Sequence, residues 1–146
     1  MNKKYALVTG GSGGIGKAIC VELANRNYNL IVVGRNEKKL TELQNKLQTE
    51  NKIEVTILKK DLSDLKQTDE IIQHIVLNKI PVSILVNNAG YGLWGTFEEL
   101  ELEAQFKMLN VNINSLVTLT HKLIPILKQQ SQAYIMNVSS TTAFQP

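Results

Sequence analysis

The chain has little of what small secreted, fibrous or membrane proteins depend on. It carries one cysteine, Cys20, in 146 residues, so no internal disulfide can form and a reduced cytosol is the expected compartment. Three prolines and nine glycines exclude a proline-rich linker or a collagen-like repeat. No apolar stretch approaches the roughly 20 residues that cross a bilayer. The apolar run after Met1-Asn2-Lys3-Lys4 is too short for a secretion leader, and no membrane partner is expected. Acidic and basic residues nearly balance, 13 against 16. The lysines fall in scattered pairs (Lys3-Lys4, Lys38-Lys39, Lys59-Lys60), too sparse for a nucleic-acid footprint. His74 and His121 stand far apart without metal-ligand spacing to Cys, Asp or Glu, so no metal is expected. Cys20, among Ile19, Val21 and Leu23, reads as a buried structural thiol.

What is there is a 43% apolar fraction on a one-domain length, enough to bury a core without staples. Strand-sized apolar runs alternate with helix-sized amphipathic ones. Tyr5–Thr9 reads as a buried strand, and residues 15–25 as a helix with Ile15, Ile19 and Leu23 on one face. Residues 30–33 form a second strand; Asn36 then caps a helix carrying Leu40, Leu43 and Leu47. Residues 53–58 are rich in β-branched side chains, and Ser63 or Asp64 caps a helix with Ile71, Ile72 and Ile75. A fourth strand covers 82–86, a long helix runs from about 102 to 127 with an interruption near its end at Pro125, and a fifth strand covers 134–138. Continuous apolar strands separated by helices mean a parallel sheet covered on both faces, and right-handed crossovers wind it both ways. The expected fold is α/β: a single Rossmann-type, doubly wound, three-layer α/β/α domain over 1–146, breaking off after the fifth strand. Ligands on such sheets bind at the carboxyl ends of the strands.

After the first strand comes Thr9-Gly-Gly-Ser-Gly-Gly-Ile-Gly-Lys17. Glycines let backbone approach a ligand, and the following helix directs its positive end at the loop, which suits a phosphate. Three templates fit. Gly11-x-Gly13-x-x-Gly16 satisfies a dinucleotide fingerprint. Gly11 to Lys17 matches most of a P-loop, but Ala18 stands where that motif needs a Ser or Thr for magnesium. The third is T-G-x-x-x-G-x-G, through Thr9, Gly10, Gly14 and Gly16. The second strand ends Val33-Gly34-Arg35-Asn36. An NAD-binding site places an acid there for the ribose hydroxyls. Here no acid repels a 2′-phosphate, Arg35 can pair with one bidentately, and Ser12 can add a hydroxyl donor. Arginine is scarce, two against 14 lysines, which makes its placement pointed. The expected cofactor is NADP(H), preferred over NAD(H).

The later strand ends carry Asp61-Leu62, Asn87-Asn88-Ala89-Gly90 and Asn137-Val-Ser139-Ser140, and the long helix carries Asn110-Val-Asn112. In this order, with the first loop, they resemble the short-chain dehydrogenase/reductase family over the whole chain. The resemblance implies a phosphate loop of Gly10, Ser12, Gly14, Ile15 and Gly16. It implies that Asp61 reads the adenine with Leu62 beside it, that Asn88, Ala89 and Gly90 line the cofactor, and that Asn87 ties the sheet together. It makes Asn112 the anchor of a relay water, a placement supported by the spacing to Leu119, Thr120 and Pro125. Ser140 becomes the catalytic serine that positions a carbonyl or hydroxyl. Gly90-Tyr-Gly-x-x-Gly95-x-Phe97 and Ala143-Phe-Gln-Pro146 are similar to a DltE-like subgroup. The implied function is hydride transfer between nicotinamide and a small carbonyl or alcohol substrate, in a homo-oligomer. The stripe of Leu109, Leu116 and Leu123 could be the oligomer face, although core packing alone explains it.

One feature of the family is missing. Its general acid is a tyrosine in Tyr-x-x-x-Lys, and none of Tyr5, Tyr28, Tyr91 or Tyr134 has a lysine four residues on. Neither serine nor asparagine titrates near neutrality, so neither replaces it. Counted from Ser140, the motif falls past Pro146. The expectation is therefore the front part of an enzyme, with weak dinucleotide binding, no turnover and a fifth strand that leaves an edge unpaired. The alternative is a non-catalytic dinucleotide-binding or sensing module. Ser140 and Asn112 favour the enzyme, because a pure binder needs neither. Trp94, past the fourth strand, could touch substrate or pack on its own loop.

Overall fold

A computed structural model describes residues 4–141. The elements run β1 (Tyr5–Thr9), α1 (Gly14–Asn25), β2 (Asn29–Gly34), α2 (Glu37–Glu50), β3 (Val55–Lys59), α3 (Leu65–Leu77), β4 (Val82–Asn87), α4 (Leu102–Leu109), a π turn (Asn110–Asn114), α5 (Ser115–Leu127) and β5 (Tyr134–Asn137). The five strands are parallel, in the order β3-β2-β1-β4-β5. The chain winds outward from β1 to β3, returns, and winds the other way through β4 and β5. The switch point lies between β1 and β4, where ligands bind such sheets. Leu7 stands level with Ile31 on one side and Leu85 on the other, so the carboxyl ends of the three central strands finish together.

Alternate side chains of each strand feed two cores. Leu7, Ile31, Val33 and Leu85 pack with Ile71, Ile75, Leu119 and Leu123 of α3 and α5. Ala6, Val8, Leu30 and Val32 pack with Cys20, Leu40 and Leu47 of α1 and α2. The caps are local chemistry: Asn36 Oδ1 accepts from the Lys39 N–H at 3.0 Å and Asp64 Oδ1 from the Lys66 N–H at 3.0 Å. Among the described residues no helix is long and apolar enough to cross a membrane.

Three local expectations are corrected. The long helix is two helices joined by a π turn, in which the Ser115 N–H reaches back to the Asn110 carbonyl. The extra residue rotates α5 relative to α4, so Leu123 is fully buried while Leu109 is exposed. Pro125 interrupts nothing, because it lies in the last turn of α5 and costs that helix one bond near its end. Ile15 leaves the core face of α1 and is 62% exposed; Gly16, Cys20, Leu23 and Ala24 are buried instead. The unpaired edge expected at the fifth strand is present: β5 is exposed throughout and no described element lies beyond it.

Candidate functional site

The carboxyl ends of β1 to β4 enclose a cleft of about 490 Å³. Gly10 and Ser12 line it from the loop after β1, Arg35 from the end of β2, and Lys39 from α2. Lys60, Asp61 and Leu62 follow β3; Ala89, Gly90 and Tyr91 follow β4; Val111 of the π turn closes the wall. Of the residues read from the sequence, Gly10, Ser12, Arg35, Asp61, Leu62, Ala89 and Gly90 are thus brought together. Gly14, Ile15, Gly16, Asn88, Asn112 and Ser140 are not part of this wall.

The floor is backbone. Gly10 has φ +65°, and a Cβ there would lie 2.9 Å from Ala89 Cα. A Cβ on Gly16 would lie 2.3 Å from the Gly10 carbonyl oxygen, so α1 docks on the loop only because position 16 has no side chain. Gly13 caps α1 without a side-chain acceptor. The first-turn N–H groups, those of Gly14, Ile15 and Gly16 among them, therefore have no partner within the helix. Gly14 and Gly16 have no side chain and that of Ile15 points outward, so what these residues offer a ligand is backbone donors beside the positive end of the helix.

Thr9 has no role assigned by its sequence context beyond opening the T-G-x-x-x-G-x-G template. It is buried, donates from Oγ1 to the Val86 carbonyl at 3.2 Å and accepts the Asn88 and Ala89 N–H groups at 3.0 and 3.1 Å. Asn88 answers from the other strand: its Nδ2 donates to the Thr9 and Gly10 carbonyls at 3.0 and 3.2 Å. Its side chain joins the two loops from behind rather than facing the cleft. Asn87 does likewise for the sheet, donating from Nδ2 to Thr120 Oγ1 at 3.1 Å and to Asn137 Oδ1 at 2.9 Å.

At the end of β2, Ser12 Oγ lies 3.0 Å from where a Cβ on Gly34 would stand. The absent side chain lets the hydroxyl rest against the last residue of β2, and both Ser12 and Arg35 line the cleft. Across the mouth, Asp61 accepts the Ser63 N–H at 2.9 Å, and its own N–H donates to Gln67 Oε1 at 2.8 Å. Burial works to raise the Asp61 carboxyl, but the Ser63 backbone and hydroxyl bonds, with the charges of Arg35 and Lys107, outweigh it and hold the group below its ordinary value. It is an ionised acceptor at neutral pH. Lys60 is paired with Glu70.

Asn112 grips the loop after β4 with both ends of its amide. Oδ1 accepts the Tyr91 N–H at 3.0 Å and Nδ2 donates to the Tyr91 carbonyl at 2.8 Å. One lone pair and one N–H remain for anything else. Its neighbour Asn110 donates to the Ser63 carbonyl at 3.0 Å, fastening the π turn to the loop that holds Asp61. Ser140 follows the end of β5 and is exposed, on the same carboxyl side of the sheet. Trp94 does not pack on its loop: it is 99% exposed. Residues 143–146, the second half of the subgroup motif, lie outside the described residues.

A glycine floor, unpartnered helix-terminal donors, an acceptor for an amine and a cation at the ribose end together suit a phosphate-bearing dinucleotide. The sequence matches the short chain dehydrogenase family profile over residues 4–146. The chain belongs to the short-chain dehydrogenase family. It is 30% identical over 146 residues to an uncharacterised oxidoreductase of Staphylococcus epidermidis, covering 100% of this chain and 62% of that one. It is 38% identical over 127 residues to the very-long-chain 3-oxoacyl-CoA reductase of Kluyveromyces lactis, covering 85% of this chain and 36% of that one. L-sorbose reductase of Gluconobacter frateurii, solved with NADPH and L-sorbose, superposes with a TM-score of 0.91 at 27% identity, over 100% of this chain and 56% of that one. This short-chain dehydrogenase chain therefore spans less than two-thirds of the length of each of these relatives.

Proposed function

We propose that the protein is an NADP(H)-dependent oxidoreductase of carbonyl or alcohol substrates. The observation that carries the cofactor choice is the end of β2: Arg35 lines the cleft there, Ser12 Oγ packs against the preceding Gly34, and no acid occupies the turn. The dinucleotide would lie along the cleft, its diphosphate over the loop of Gly10, Gly14, Ile15 and Gly16 and its adenine amine toward Asp61. Leu62, Asn88, Ala89 and Gly90 complete and brace the walls. When bound, the nicotinamide supplies or accepts a hydride. The chain's own residues hold the substrate oxygen and one proton: Ser140 donates a hydrogen bond to that oxygen, and the remaining capacity of Asn112 holds a relay water. The titrating acid, a tyrosine beside a lysine, is assigned to sequence outside these 146 residues. We place the protein in a DltE-like subgroup and in the cytoplasm.

The same reading includes self-association. Leu102, Phe106, Leu109, Ile113 and Val117 recur at three- and four-residue steps along α4, the π turn and α5, and all are exposed, between 40% and 62%. Isolated exposed leucines are ordinary, but an aligned row of five apolar side chains marks a contact face. Val117→Glu is expected to lower the oligomeric mass on size-exclusion chromatography with light scattering; an unchanged mass removes this face from the proposal.

The functional test is made on the protein expressed from its whole reading frame. Dissociation constants for NADPH and NADH come first, then NADPH oxidation with a panel of ketones and aldehydes. Tighter binding of NADPH and turnover that falls on Ser140→Ala support the proposal. NADPH binding with no turnover of any substrate, in a protein lacking Tyr-x-x-x-Lys, replaces it with a non-catalytic dinucleotide module.

A further inference from the structure

A second concavity, of about 400 Å³, adjoins the cleft, and the two share Ser12, Gly13 and Lys39. Its other walls come from α1 and α2, including Lys17, Glu42 and Lys46. Three lysines face one glutamate, so the space beside the ribose end of the cleft is net positive. The cations at this end are not equally available. Lys60 is held by Glu70, and Lys59 binds Glu37, the acid next to Lys38 and Lys39, at 2.9 Å. Arg35 stands within the electrostatic reach of Asp61 across the mouth. Among the described residues Lys46 has only a long contact with Glu50, 3.9 Å. Lys17 and Lys39 have no carboxylate partner among the described residues. Of the cations, Lys39 alone lines both spaces. Its place is fixed from below, since the Asn36 side chain caps its N–H and the next residue, Leu40, is fully buried.

We propose that Lys39 is a second determinant of cofactor choice, its ammonium taking the 2′-phosphate from the α2 side while Arg35 takes it from the end of β2. Lys17 and Lys46 outnumber Glu42 and keep the adjoining space net positive. This rests on the reading that the cleft holds a phosphorylated dinucleotide. The physical need is clear: a phosphate monoester carries nearly two negative charges at neutral pH, and one arginine that also answers to Asp61 balances less than that.

The test measures NADPH and NADH dissociation constants for the whole-frame protein, Arg35→Ala and Lys39→Met at several salt concentrations. Lys39→Met keeps the aliphatic stem and removes the charge on an exposed residue, so the fold is retained, which circular dichroism checks. The expected result is NADPH binding weakened about tenfold, NADH binding unchanged, and a shallower salt dependence of the NADPH constant. If Lys39→Met binds NADPH as the parent does while Arg35→Ala does not, the inference is overturned and the cofactor reading stands. If the parent itself binds both dinucleotides equally, the cofactor reading fails, and the role of Lys39 fails with it.

Discussion

Thr9 concentrates more of the site's architecture than any residue that touches the cleft. Its hydroxyl accepts two backbone N–H groups of the β4 loop, and a donor stripped of its acceptor costs about 1–3 kcal/mol where water cannot replace it. Thr9→Val keeps the shape and removes the one oxygen that accepts both N–H groups. It should lower the unfolding free energy in urea by about that amount and weaken dinucleotide binding, whereas Thr9→Ser restores most of both; equal stability of Val and Thr at this position would sink the claim. Tyr5 offers a second test. Its phenol donates to Glu54, and burial first, then that bond and the carboxylate charge, push its pKa up from 10.0 to about 12. The folded state thus holds the proton more tightly than the unfolded chain. This contribution is whole below pH 10 and is lost as pH climbs toward 12. Wild type should lose stability across that window more steeply than Tyr5→Phe, by denaturant titrations at fixed pH; parallel profiles would refute it. At this scale the sequence is legible where a residue's type limits its use. Glycines at 10 and 16 and an arginine after β2 have few reasons to be there. Lysines have many, so Lys39 reads as half of one more solvated pair, and only the cleft wall singles it out. Asn88 is legible as a residue of the correct loop, but a side chain's direction is set by partners from another strand that no local pattern reveals.

At the scale of elements, β1 and the cap at Asn36 are readable because a buried parallel strand is a continuous apolar run and a capping side chain acts within three residues. The break after Leu109 is not. Asn110–Asn114 keeps an apolar residue, Val111, at helical spacing, and a π turn differs from an α turn by one carbonyl's choice of partner. Such turns persist where something compensates, and here Asn112 clamps Tyr91 while Asn110 reaches Ser63. The turn therefore binds the walls after β3 and β4 to one another. Asn112→Asp makes this testable, since a carboxylate accepts the Tyr91 N–H but cannot donate to its carbonyl. It should cost about 1–2 kcal/mol of stability and, in the whole-frame protein, reduce turnover far more than it weakens NADPH binding. A matched loss of both would make Asn112 merely a brace for the cleft.

The molecule as a whole is a sheet covered unevenly. β1, β2 and β4 are sandwiched between helices, while among the described residues β5 pairs only with β4 and leaves Tyr134, Ile135 and Met136 exposed by 57%, 41% and 49%. One flank of backbone bonds and almost no buried side chain give β5 little to hold it against fraying. Its polar backbone also presents an open row of donors and acceptors. In a polypeptide limited to residues 1–146, the amides of residues 134–137 should exchange with solvent fastest of the five strands, and the polypeptide should self-associate with rising concentration. In the whole-frame protein both behaviours should vanish if further chain packs against this edge. Slow exchange at β5 in a monomeric 146-residue polypeptide would instead mean that its bond to β4, with Asn87 fastened to Asn137 and Thr120, holds the edge by itself. Ser140, three residues beyond that strand, would then be positioned by the pairing of β5 with β4 alone.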